Sequence, residues 1–85
     1  MNSIEKRKRK IKFGKMIRDR RKMLGISAET LAERCNRSDR DIRDIELGKR
    51  EPLLGTALIL CQVCEIDVGE LKEFVPQGEP TYVWI

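Results

Sequence analysis

Cys61-Gln62-Val63-Cys64 has the two-residue spacing of a metal-binding or thiol–disulfide pair. A zinc site of that kind needs a second pair, and the chain offers only Cys35 besides. Histidine is absent, which removes the commonest general base and the commonest metal ligand. Carboxylates are plentiful, but no metal set or glycine-rich phosphate loop accompanies them. No catalytic residue, metal or cofactor is therefore expected, and an enzyme has little support. The cysteines stand among Leu58, Leu60 and Val63 and read better as small buried hydrophobes. In a reducing compartment their odd number needs no disulfide. The remaining chemistry is polyanion binding. Residues 1–25 hold eleven Lys/Arg against two acids, residues 26–52 six against seven, and residues 53–85 one against five. A net charge of +4 thus conceals one basic end and one acidic end. Lys6, Arg7, Lys8, Arg9, Lys10 and Lys12 form the densest block. They are expected to lie along a polyanion, with a solvated basic tail as the plain alternative.

The elements that would position these groups follow from length and periodicity. The 85 residues suffice for one domain, and a chain 38% charged and 40% apolar fits a globular fold with a charged surface. No apolar run approaches a membrane span and no signal-peptide stretch follows the basic start, so a cytoplasmic location and no membrane partner are expected. Residues 1–10 read as an arm, disordered or loosely helical. Phe13, Met16, Ile17, Met23 and Leu24 then share one helical face, and Gly25 ends that helix. Ser27 is an N-cap for a second helix with Ala28, Leu31, Ala32 and Cys35 inward. Ser38 caps a third, with Ile42 and Ile45 inward, closed by Leu47-Gly48. Pro52 marks a loop. A fourth helix over about 54–64 directs Leu54, Leu58, Cys61 and Cys64 inward. Asp67 and Glu70 form a capping box for a short fifth carrying Val68, Leu71 and Phe74. Pro76, Gly78 and Pro80 break the pattern, and Thr81–Ile85 reads as an extended segment. The domains are thus an arm at 1–10, a helical domain at 11–74 and a tail at 75–85.

Helices two and three are separated by only Asn36 and Arg37 before the Ser38 cap, which is helix-turn-helix spacing. Ala32 supplies the small residue where the helices approach, and Asn36 tolerates the positive φ of the turn. Residues 13–74 resemble the Cro and phage-repressor (XRE-like) helix-turn-helix family. The resemblance is carried by Ile17-Arg18, Arg21, Gly25-Ile26-Ser27, Leu31-Ala32-Glu33, Ser38, Ile42, the run Ile45-Glu46-Leu47-Gly48-Lys49-Arg50-Glu51-Pro52, and Ile66-Asp67. It implies an all-α, five-helix DNA-binding domain, here with a basic arm and an extended tail. It also implies an interhelical salt bridge between Arg21 and Glu46, against the alternative of two unrelated surface charges.

By the same resemblance Asp39, Arg40, Asp41 and Asp44 face the DNA bases, with Arg43 beside them. Ser27, Arg37, Arg43, Lys49 and Arg50 are assigned to phosphates. The glutamine that opens helix two in the family is replaced by Ala28, and Arg37 stands where an apolar residue is usual. Asp39 to Glu46 holds four acids and two arginines, unfavourable against a phosphate-lined groove. Aspartate can nonetheless accept from cytosine N4 and arginine can donate to guanine O6 and N7. Asp39–Arg43 and Arg40–Asp44 could instead satisfy each other as i, i+4 pairs on a solvated helix. Two functions remain open: a sequence-specific DNA-binding regulator acting as a dimeric repressor on double-stranded DNA, and a protein-interaction or antitoxin-like module with weak or no base recognition. Tyr82-Val83-Trp84-Ile85 suits strand pairing in a homodimer, or packing back on its own helices. With no separate ligand domain, no small-molecule effector is expected.

Overall fold

The computed structural model describes residues 3–74. The chain runs α1 (Ser3–Met23), α2 (Ala28–Arg34), α3 (Asp39–Glu46) and α4 (Leu54–Val63), then a 3₁₀ helix (Val68–Phe74). The fold class is all-α, with no strand among the described residues. The fifth element is a 3₁₀ helix rather than an α-helix. The tail at 75–85, with its expected dimer contact, lies outside the described residues.

Of the two states expected for residues 3–10 from their charge, disordered or loosely helical, the structure shows the helical one. These residues are the first turns of α1, continuous to Met23. Lysine, arginine and glutamate are good helix formers because their straight side chains lose little rotamer freedom. Arg9 also anchors the segment, its guanidinium 2.8 Å from Glu51 in the loop after α3.

All four α-helices end alike. Residues 25, 36, 48 and 65 have positive φ, and in each case two backbone bonds close the end. At α2, for example, the Arg37 N–H donates to the Ala32 carbonyl at 2.8 Å and the Asn36 N–H to the Glu33 carbonyl at 3.1 Å. These pairs satisfy carbonyls that the helix leaves orphaned. Gly25, Asn36 and Gly48 are the residue types this geometry favours. Glu65 is not, and its carbonyl is held by the Arg20 guanidinium at 2.9 Å.

The core is formed by Phe13, Ile17, Leu31, Ala32, Cys35, Ile42, Ile45, Ala57, Leu60, Cys61, Cys64, Ile66, Leu71 and Phe74. Phe74 meets Phe13 edge-on, centroids 5.5 Å apart, and so fastens the last described turn to α1. Three expectations about facing are corrected. Met23 is 80% exposed and Leu24 is exposed, because Met23 points away from Ile17 and Leu24 lies beyond the last turn that touches the core. On α4 the buried stripe is Ala57, Leu60, Cys61 and Cys64, so Leu54 is only half-buried and Leu58 is exposed. This helix is apolar nearly all round, and periodicity could not select its face. Val68, at the start of the 3₁₀ helix, is exposed, whereas Leu71 and Phe74 are buried.

Cys35, Cys61 and Cys64 are free and buried. Desolvation raises all three thiols, Cys64 to about 11. A raised thiol stays protonated, and therefore unreactive, at neutral pH. Iodoacetamide at pH 8 should leave the native chain unmodified over minutes and alkylate three sites in denaturant, read by mass spectrometry. Rapid native labelling of Cys61 or Cys64 would show the pair to be reactive.

Candidate nucleic-acid interface

The α2–turn–α3 unit is built by its caps. The Ser27 hydroxyl accepts the Thr30 N–H at 3.0 Å and donates to the Thr30 hydroxyl at 2.9 Å. Ser38 accepts the Asp41 N–H at 3.1 Å. Each serine has the extended backbone of an N-cap, which fixes where its helix starts. Between them Asn36, at φ 55°, turns the chain. Ile42 and Ile45 are buried, so the opposite face of α3 is directed outward.

Arg40 is exposed at the centre of that face with half-buried Asp44 beside it, while Asp39 is exposed at the start of the helix and Asp41 is half-buried on its flank. The i, i+4 pairs Asp39–Arg43 and Arg40–Asp44 do not form. Arg43 reaches across to Glu29 on α2 at 2.8 Å. Its guanidinium and the Glu29 backbone N–H hold the Glu29 carboxyl below the usual range, the backbone bond being the larger cause. Asp41 is taken by Arg50, at 2.6 Å. The Arg37 guanidinium donates to the Thr56 hydroxyl on α4 at 2.7 Å. A cleft of about 150 Å³ lies here, lined by Arg37, Asp41, Ile45, Arg50, Pro52 and Thr56 among others. Of the residues assigned to phosphates, Ser27, Arg37, Arg43 and Arg50 thus have intramolecular partners, while Lys49 is exposed in the loop after α3.

Lys6, Arg7, Lys8 and Lys12 are exposed on α1, whereas Arg9 and Lys10 are half-buried. Arg9, tied to Glu51, is a structural cation as much as a surface one. The set is therefore displayed on a helix rather than on a loose chain.

A bidentate pair braces the unit from behind. Arg21 Nε donates to Glu46 Oε2 at 2.7 Å and Nη2 to Oε1 at 3.0 Å, with Nη1 on the Ile26 carbonyl at 3.1 Å. These bonds raise the Arg21 pKa, against the opposing effect of burial. The end of α3, the end of α1 and the turn into α2 are thereby fixed to one guanidinium.

Sequence reasoning did not find Glu29, Glu51 or Thr56, because partners 14, 42 and 19 residues away follow no helical period. It also passed over Gly14, buried in the middle of α1. A Cβ there would lie 2.1 Å from the Ile45 carbonyl oxygen, so only glycine lets α1 meet the end of α3 this closely. A glycine inside a helical pattern was the available signal. No helix among the described residues is long and apolar enough to cross a membrane. A family model described as Helix-turn-helix matches residues 17–71, from the middle of α1 to the 3₁₀ helix. No curated protein and no solved structure matches the chain.

Proposed function

The chain belongs to the helix-turn-helix family of Cro/C1 (XRE-like) type, a family of DNA-binding regulatory domains rather than enzymes, and from that premise we propose that it is a sequence-specific transcriptional repressor that binds double-stranded DNA as a homodimer in the cytoplasm. The observation that carries this reading is α3. It is anchored inward by Ile42 and Ile45 and outward carries groups able to bond base edges, with Ser27, Arg37, Arg43, Lys49 and Arg50 around it. In this reading α3 enters the major groove, Asp39, Arg40, Asp41 and Asp44 meet bases, and the surrounding residues meet phosphates. Lys6, Arg7, Lys8, Lys10 and Lys12 extend the contact along the backbone from a helical platform, with Arg9 contributing while tied to Glu51. Two-fold pairing, through residues 75–85, would match paired half-sites. Mobility shifts with random genomic fragments across salt concentrations test the whole reading. Recovery of a preferred sequence supports it, and no binding at low salt overturns it.

Arg40 is the strongest candidate for reading a base, being exposed, long and free of an ion pair among the described residues. Arg40→Ala should cost about 1–3 kcal/mol of binding and relax preference at one base pair. A uniform loss on all sequences would move Arg40 to the backbone contacts.

A second reading, a protein-interaction or antitoxin-like module, is favoured by one observation. Two arginines of the DNA-facing surface are already paired with acids. An Arg40→Ala variant indistinguishable from the parent on every duplex would support that reading.

A further inference from the structure

The Arg43–Glu29 and Arg50–Asp41 pairs differ from ordinary surface ion pairs in what they connect. Arg43 on α3 is bound to α2, and Arg50 in the loop after α3 is bound back to its first turn. Both arginines belong to the surface read above as phosphate-binding. Both pairs are accessible, with side-chain exposures of 61% and 57% for Arg43 and Glu29, and 58% and 28% for Arg50 and Asp41. Accessible pairs are weak, so a phosphate can displace the carboxylate easily. The displaced carboxylate is then left beside a polyanion.

We propose that Glu29 and Asp41 are latches, each holding a phosphate-seeking arginine off the duplex, and that Asp41 is the specificity-determining one, letting Arg50 go where the duplex supplies its carboxylate with a donor. The proposal rests on the DNA-binding reading and deepens it. On an arbitrary duplex, release of Arg50 gains a phosphate contact but strands the Asp41 carboxylate against the DNA, so binding stays weak. On a matching duplex a cytosine N4 amino group takes the place of Arg50 on Asp41, and Arg50 is free for the backbone. Base recognition and backbone affinity are thereby coupled through one side chain. The same exchange lets an acid-rich α3 work in a phosphate-lined groove. Its aspartates suppress non-specific binding and are neutralised only at the right site.

The test compares Asp41→Asn and Glu29→Gln with Glu33→Gln. Glu33 is exposed on α2, four residues beyond Glu29, and has no ion pair among the described residues. Its substitution makes the same change in net charge without opening a latch. Affinity for a non-specific duplex is measured against salt, with thermal melting to check that each variant folds. Each released arginine should steepen the slope of log K against log salt by about 0.9, or about 3.5-fold more affinity gained between 200 and 50 mM salt. Discrimination between the preferred duplex and random duplex should fall in Asp41→Asn. Slopes equal to that of Glu33→Gln would overturn the proposal. If the parent chain binds no duplex, the DNA-binding reading fails separately, and the latch is judged on immobilised heparin. There Asp41→Asn and Glu29→Gln should elute at higher salt than Glu33→Gln, and equal elution overturns the latch.

Discussion

Gly14→Ala should destabilise the domain by about 2 kcal/mol or more, although alanine is the better helix former. In an exposed helix the exchange would favour alanine by about 1 kcal/mol. Here the added methyl would stand 2.1 Å from the Ile45 carbonyl oxygen and 2.8 Å from that of Glu46. These are backbone atoms, so no rotamer change relieves the contact, and α1 must move away from α3. Overpacking of this kind costs about 1–3 kcal/mol and occasionally more, with the upper end expected where backbone must shift. Chemical denaturation should show the loss directly, and the melting temperature should fall by about 8–16 °C. Gly55→Ala supplies the comparison. Gly55 lies in α4, where a Cβ would have nothing within 4 Å. That substitution should be neutral or stabilising by up to about 1 kcal/mol, since it only restricts the unfolded chain. Equal effects at the two glycines would refute the close approach of α1 to α3. DNA affinity should also weaken in Gly14→Ala, because the displaced segment is the end of α3.

The features legible in the sequence were those fixed by local chemistry. Ser27 and Ser38 cap because a hydroxyl beside an apolar periodic run has few other uses, and Gly25, Asn36 and Gly48 turn because few residues tolerate positive φ. The inward faces of α2 and α3 were legible because charge and apolarity alternate there at helical period. Apolar α4 carried no such contrast, and its buried stripe starts from Ala57 rather than Leu54. The basic N-terminal segment was legible only in part. Charge density suggested an arm, disordered or loosely helical, while helix propensity and a tertiary contact, Arg9 with Glu51, make it helical. The candidate site residues could be named from the sequence by type, but their intramolecular partners could not. Nothing in the spacing of Arg43 or Arg50 indicates that they bind Glu29 and Asp41, since those contacts depend on how α2, α3 and the loop pack. The brace between Arg21 and Glu46 came from family resemblance, as no local rule connects residues 25 apart.

Glu46→Ala should be the most damaging single removal of charge among the described residues, at about 3 kcal/mol, the lower end of the cost of breaking a buried pair. The Arg21 side chain is 13% exposed and that of Glu46 6%, so neither head group can turn to water without disturbing the packing. Removing the carboxylate leaves a part-buried guanidinium, still charged, with the Ile26 carbonyl as its remaining hydrogen-bond partner. A small domain is stable by only about 5–15 kcal/mol, so the loss is a large fraction of the total. Glu46→Gln separates charge from packing. It keeps the volume and one acceptor, and should still lose most of the stability if an unbalanced charge is the cause. The double variant Arg21→Met, Glu46→Leu should then recover a large part, because it buries no charge at all. If Glu46→Gln costs under about 1 kcal/mol, the pair behaves like an exposed one and the buried-brace account fails. The recovered double variant also asks what the pair does beyond stability. Arg21 joins the end of α3 to the turn before α2, so replacing it with apolar contacts should leave the fold intact while loosening the angle between the two helices. DNA binding measured on that stable variant should be weaker than in the parent chain, and equal binding would limit the pair to a role in stability.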